Sequence, residues 1–208
     1  MKTAIAFARR GVAYELAMYR SLFRWVTRRP DVPGDATPFP YVGAVAVLLW
    51  AFIIVSAIEL VALHLILPWE TVRLIVDIVS IWGLVWMLGF MGSFKVHPHF
   101  VSDSCLRVRN GPATAITVPW DAIATVGVRE RSRDKSNTIQ VDHDGHGTVL
   151  NVVVGSRTNV NVTLLRPLVV PLSKGEEPVT EIRLYADDAR GLAKHVREHL
   201  ASSETTRR

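Results

Sequence analysis

Hydrophobic positions in this chain follow three different patterns. Residues 4–29, "AIAFARRGVAYELAMYRSLFRWVTRR", repeat with a helical period, two long apolar runs follow, and from Lys95 onward apolar and polar residues alternate. At 100° per residue, Arg9, Arg10, Arg20, Arg24 and Arg28 share an arc of about a quarter turn. Ile5, Val12, Leu16, Tyr19, Leu22, Phe23 and Val26 lie broadly opposite, with Glu15 interrupting the apolar side. The pattern predicts a basic amphipathic helix lying in a membrane interface, its arginines toward anionic lipid headgroups. The next stretch, "RPDVPGDATPFP", carries four prolines, cannot continue a helix and reads as a linker over residues 30–40.

The apolar runs are residues 41–67, "YVGAVAVLLWAFIIVSAIELVALHLIL", and residues 74–94. A spanning helix needs roughly 20 apolar residues, and both runs are too long and too far inside the chain for a cleaved signal peptide. Only "PWETVR" joins them, so residues 41–94 are expected to form an antiparallel transmembrane hairpin with both ends on one side.

The third region turns where turn chemistry allows. Leu106 and Val108 alternate with Arg107 and Arg109, Asn110-Gly111 turns the chain, and Ile116 and Val118 alternate with Thr117. Similar runs surround Val126–Val128, Ile139–Val141, "VLNVVV" from Val149, Val160–Leu164 and Ile182–Leu184. This predicts about seven antiparallel strands as a partly open barrel. "DDARGLAKHVREHL" then places Ala189, Leu192, Ala193, Val196 and Leu200 on one helical face, with Asp187 or Asp188 as cap. That helix is expected to close the open end of the curled sheet.

Composition sharpens the topology. The 208 residues are 49% hydrophobic with a net charge of +5. Seven bases face three acids in residues 1–41, and Lys95 follows the second run, while Glu70 and Arg73 cancel in the connector. The positive-inside rule then puts both termini in the cytoplasm of a plasma-membrane protein with two spans. The charge excess in residues 95–208 is too scattered for nucleic acid. The single cysteine, Cys105, allows no intrachain disulfide and reads as a packing residue at the start of a strand.

Three ionisable residues lie within the apolar runs: Glu59, His64 and Asp77. Asp77 is four residues from Arg73, so the two could pair along a helix. Intramembrane carboxylates can mark ion or proton pathways, or they can tie helices or a partner subunit together.

With "LRVRNG" at Leu106–Gly111, "VPWDAIATV" at Val118–Val126 and "IRLYADDARGLAKHV" at Ile182–Val196 behind a membrane hairpin, the chain resembles the bacterial membrane-anchored PH-like domain proteins. The resemblance implies a tethered binding or scaffolding module rather than an enzyme. Phosphoinositide-binding PH domains place bases in their first inter-strand loop, whereas the corresponding "SDS", Ser102–Ser104, has Asp103 and no base. The richest basic stretch is "RERSRDKS", where Arg129, Arg131, Arg133 and Lys135 alternate and would project to one side of an extended chain. It is a candidate contact for headgroups or an acidic partner, although Glu130 and Asp134 offset part of its charge.

No G-x-S-x-G, Walker A, H-E-x-x-H or paired-cysteine pattern occurs. His97 and His99, His143 and His146, and His195 and His199 are the histidine pairs, the last at i,i+4, and nothing nearby in sequence completes a metal site. "KGEEP" and "SSETTRR" read as a solvent loop and a disordered end, the latter over residues 202–208.

The expectation is therefore an α-helical membrane hairpin plus a mainly β PH-like domain over residues 95–201, preceded by the interfacial helix of residues 1–29. No cofactor is expected. Expected partners are the bilayer, anionic headgroups and a protein partner or a second copy. The expected role is recruitment or assembly of a partner at the cytoplasmic face. The alternative is an accessory subunit of a membrane transporter or enzyme complex using Glu59 and Asp77.

Overall fold

The computed structural model describes the backbone of residues 2–112, 114–133, 137–144, 147–172 and 175–206, with side-chain surroundings left undescribed for residues 2–8, 10, 144 and 203–206. The chain divides into two compact units. One holds residues 1–30 and 45–96, the other residues 31–44 and 97–208.

The first unit is helical. Helix α1 (Lys2–Val26) stops where the backbone turns left-handed at Arg28, φ 54°. The Arg28 N–H reaches the Trp25 carbonyl at 3.0 Å and the Arg29 N–H the Arg24 carbonyl at 2.8 Å, giving two carbonyls of the last turn backbone partners. Helices α2 (Gly43–Ile66) and α3 (Glu70–Val96) are both long and apolar enough to cross a membrane, and both are mostly exposed within the chain. That exposure is what lipid-facing helices show, and soluble core helices do not.

Helix α1 packs along α3 rather than standing apart from it. Met18 and Ser21 are buried there. A Cβ built on Gly89 would lie 3.4 Å from the Met18 carbonyl oxygen, and one on Gly92 would lie 3.3 Å from the Trp25 ring. Glycines at these two positions let the backbones approach closely. The Trp82 indole N–H donates to the Tyr19 hydroxyl at 2.8 Å, and the Lys95 ammonium sits 5.2 Å from the Trp25 ring centre. Positions 18, 22 and 25 of α1 thus meet 89, 92 and 95 of α3 in the same order, so the two helices run in the same direction.

The second unit contains two sheets and a helix. Strands β1 (Thr37–Phe39), β2 (His99–Val101), β3 (Cys105–Asn110) and β4 (Thr114–Pro119) form an antiparallel sheet in that order. A 3-10 turn at Trp120–Ala122 leads to β5 (Ile123–Ser132). With β6 (Ile139–Asp144), β7 (Gly147–Val152), β8 (Arg157–Leu172) and β9 (Gly175–Leu184) it forms a second sheet ordered β5-β8-β9-β7-β6. Helix α4 (Ala189–Thr206) packs on the sheets, and Leu192, Ala193 and Val196 are fully buried there. They join one core with Leu106, Val108 and Val118 of the first sheet and Leu150, Val162 and Ile182 of the second. Because side chains alternate across a strand, one face of each sheet supplies this core.

Several expectations change here. The expected partly open β-structure is present as two separate sheets, with no closure between them among the described residues. There are nine strands among the described residues rather than about seven, and β7 pairs with β9 in parallel, not antiparallel. The proline-rich stretch contains β1, whose Thr37, Pro38 and Phe39 face Val101, Phe100 and His99. Proline is tolerated because β1 is an edge strand. "KGEEP" is not a solvent loop where described: Gly175–Pro178 continue β9, pairing Glu176 with Pro171 and Glu177 with Val170. Helix α4 runs on through Thr206, into the tail that had no apolar periodicity.

Candidate functional site

The basic stretch after Val126 is interrupted by a β-bulge. Val128 pairs with Val160 but Arg131 pairs with Thr158, so one extra residue enters β5 and the alternation counted from Arg129 is broken. Arg129 is exposed. Arg131 lies 4.0 Å from Glu181, which also takes a bidentate contact from Arg183 at 2.8 and 3.0 Å. Arg133 donates to Asp142 and to the Asn151 side-chain oxygen, both at 2.6 Å. Asn151 is fully buried and also reaches Asp142 at 3.1 Å, so Arg133, just beyond β5, joins a polar network with one residue of β6 and one of β7. Burial, with Arg183 beside it, pulls the Arg131 guanidinium below its ordinary pKa, and Glu181 opposes that. Lys135 lies outside the described residues. Of the four candidates, two are thus built into sheet ion pairs and Arg129 stays available to a ligand.

Among the interfacial arginines, Arg9, Arg20 and Arg28 are exposed and Arg24 is half-buried, while the surroundings of Arg10 lie outside the described residues. Val12, Leu16, Phe23 and Val26 are exposed apolar positions on the same helix. Leu16, Tyr19, Arg20, Phe23 and Arg24 line an open groove along α1.

The intramembrane residues separate into a pair and a singleton. His64 Nδ1 lies 2.7 Å from Asp77 Oδ2, joining α2 to α3. This replaces the expected Arg73–Asp77 pair: the cross-hairpin contact brings a second helix to the carboxylate that an i,i+4 count cannot see. Glu59 is exposed on α2.

The described histidines have these surroundings. His99 is fully buried between the Arg109 N–H, which donates to Nδ1 at 2.9 Å, and the Tyr185 carbonyl, which accepts from Nε2 at 2.9 Å. Those partners define a neutral ring, and burial drives its pKa down to about 4. His97 lies 3.9 Å from Asp31, whose backbone and side chain also accept from Arg109 at 2.7 and 3.1 Å. His195 meets Phe39 edge-on at 5.4 Å, and His199 stacks on Trp120 at 4.7 Å. His143 contacts Thr148, and His146 lies outside the described residues. Among the described residues no three His, Cys, Asp or Glu side chains are grouped to hold a metal.

Sequence reasoning missed a seam around residues 31–44. Tyr41 is fully buried, stacks on His99, and accepts the Gly111 N–H on its hydroxyl at 2.8 Å. That bond holds the turn where Gly111 takes φ 60°. Burial pushes the Tyr41 phenol up to about 12. Asp187 accepts the Gly43 N–H on both carboxylate oxygens, 2.9 and 3.1 Å, while Asp188 caps α4 through the Gly191 N–H at 2.8 Å. Trp120, from the Pro-Trp-Asp motif, donates to the Ser102 and Asp103 carbonyls and so ties down the Ser102–Ser104 loop. The available signals were a tryptophan after proline, a tandem Asp-Asp and a lone tyrosine before an apolar run; none of them names its partner.

No family model, no curated protein and no solved structure matches the chain. What stands is two long apolar helices followed by a β-rich region of two sheets, with a C-terminal helix on them.

Proposed function

We propose that the protein is a membrane-anchored PH-like module on the cytoplasmic face that recruits or assembles a protein partner without catalysing a reaction. The PH-like reading is supported by the antiparallel first sheet, the second sheet and the amphipathic C-terminal helix. The observation that carries the function is chain connectivity: residues 31–44, which run from the end of α1 into the first two residues of α2, belong to the β-unit. The backbone therefore passes between the two units three times, after residues 30, 44 and 96. A module joined at three points is suited to hold a partner at the bilayer rather than to sample the cytosol on a long tether. Orientation is supported by the packing of α1 on α3, which brings Trp25, at the basic end of α1, to Lys95. Among the described strands β6 pairs only with β7 and ends the second sheet, an edge position suited to strand addition. Arg129 and the exposed arginines of α1 are suited to anionic headgroups or an acidic partner.

In-cell crosslinking from photoreactive residues placed along β6, read by mass spectrometry, tests the reading. A discrete protein partner captured from β6 positions supports it. If crosslinks are absent, and neutral substitutions at Glu59 and Asp77 abolish function while charge and edge substitutions in the β-unit are tolerated, the adaptor role fails. That outcome would favour the accessory-subunit reading, for which the His64–Asp77 hydrogen bond inside the hairpin is the supporting observation.

A further inference from the structure

We infer that the flank of α2 carrying Leu48, Phe52, Val55, Glu59, Ala62 and Ile66 is a helix–helix interface with a second copy of this chain, in which Glu59 is the polar contact. The inference is independent of the adaptor role. These positions recur with alternating spacings of four and three residues, the 3.5-residue repeat that keeps one seam of a helix against a partner. Leu48, Phe52, Val55 and Ile66 are 59, 54, 60 and 73% exposed, so nothing described in the chain covers the seam. Helix α2 turns a different face to α3, with Ile53 buried, Ser56 against Met87 and His64 on Asp77.

Glu59 makes this seam different from the rest of the helix. A second row with the same spacing, Val47, Ala51, Ile54, Ile58, Val61 and Leu65, is likewise exposed and wholly apolar, which suits lipid. Glu59 is exposed and, among the described residues, has neither a hydrogen bond nor an ion pair. A carboxyl facing hydrocarbon is among the least favourable residues in a span and is ordinarily turned to protein. His64 and Asp77, the other ionisable residues of the two apolar runs, already serve each other.

A second copy satisfies Glu59 when the two facing carboxyl groups hold a proton between them. In a two-fold dimer the same residue meets itself at the same depth. A neutral carboxyl is both a donor and an acceptor, so two of them are self-complementary. A polar residue at one seam position also fixes register, which an all-apolar seam leaves open. From Leu48 to Ile66 the seam runs about 27 Å at 1.5 Å per residue, close to the hydrocarbon thickness of a bilayer.

The test is disulfide mapping of the full-length chain in native membranes, with Cys105→Ser as background. Single cysteines are placed on the seam (Phe52→Cys, Val55→Cys, Ala62→Cys) and on the other row (Ile54→Cys, Ile58→Cys, Val61→Cys). Oxidation is expected to give a product of twice the chain mass from the seam and not from the other row. Glu59→Leu is expected to lower the seam product about tenfold, and Glu59→Gln, which keeps a donor and an acceptor, to preserve it. Equal crosslinking from both rows overturns the interface. A seam product containing a different protein overturns the second copy as occupant. Loss of the dimer in Glu59→Gln, or its persistence in Glu59→Leu, overturns the role of Glu59.

Discussion

The Tyr41 ring stacks on the His99 imidazole with 4.5 Å between ring centres, and both side chains are fully buried. Tyr41 precedes the first apolar helix and His99 follows the second, so the pair closes the β-unit around two distant pieces of chain. Each ring also carries a backbone hydrogen bond, which makes the seam sensitive to small chemical changes.

Acid should loosen the β-unit through His99. Its ring has a depressed pKa near 4 in the fold against 6.5 when unfolded, because burial disfavours the cation. The unfolded chain therefore takes up a proton below 6.5 that the folded chain refuses. Stability is full above pH 6.5 and falls as pH drops toward about 4, by on the order of 3 kcal/mol in all. Denaturant titrations of the detergent-solubilised chain across that window should show the decline, and His99→Gln should flatten it.

Tyr41→Phe keeps the ring stack but removes the acceptor of the Gly111 N–H. An orphaned buried donor costs about 1–3 kcal/mol. The denaturation midpoint should drop accordingly at neutral pH, with the pH dependence due to His99 retained.

The pairing of α1 with α3 predicts a new covalent bond. A Cβ on Gly89 would lie 3.7 Å from the Met18 Cβ, within the range of a disulfide. Met18→Cys with Gly89→Cys, on a Cys105→Ser background, should oxidise within the chain in membranes. Adding Gly92→Leu, whose side chain would collide with Trp25, should reduce that yield severalfold.

Asp187→Ala should destabilise the β-unit by about 1 kcal/mol, because the Gly43 N–H loses its cap. Burial holds this carboxyl above its ordinary value of 3.8, so the folded state binds its proton more readily than the unfolded one. Its contribution to stability therefore falls as pH rises through the window between the two values and is constant above it. Asp187→Asn, a neutral acceptor, should cost less than alanine in the same unfolding measurement.

Topology is open to a labelling experiment. A thiol reagent that cannot cross the bilayer should react in intact cells with Trp69→Cys, in the connector, and not with Lys194→Cys on α4. Labelling of Lys194→Cys from outside would overturn both the orientation and the cytoplasmic role.

The sequence by itself determined the elements whose signal is local and repeated. Two apolar runs gave α2 and α3, the alternation after Lys95 gave most of the strands, and the Ala189–Val196 face gave the buried side of α4. Period and length are sufficient there, because each residue's burial follows from its own neighbours in the chain. Only the tertiary structure decided which distant groups meet. A three-residue strand containing proline has no period to read, so β1 became visible only through its pairing with β2. Parallel pairing of β7 with β9, the bulge that disrupts the Arg129–Arg133 alternation, and the choice of His64 over Arg73 by Asp77 likewise depend on contacts between separated segments. Asp187 and Asp188 are chemically identical neighbours, and only the approach of Gly43 gives one of them a partner outside its own helix.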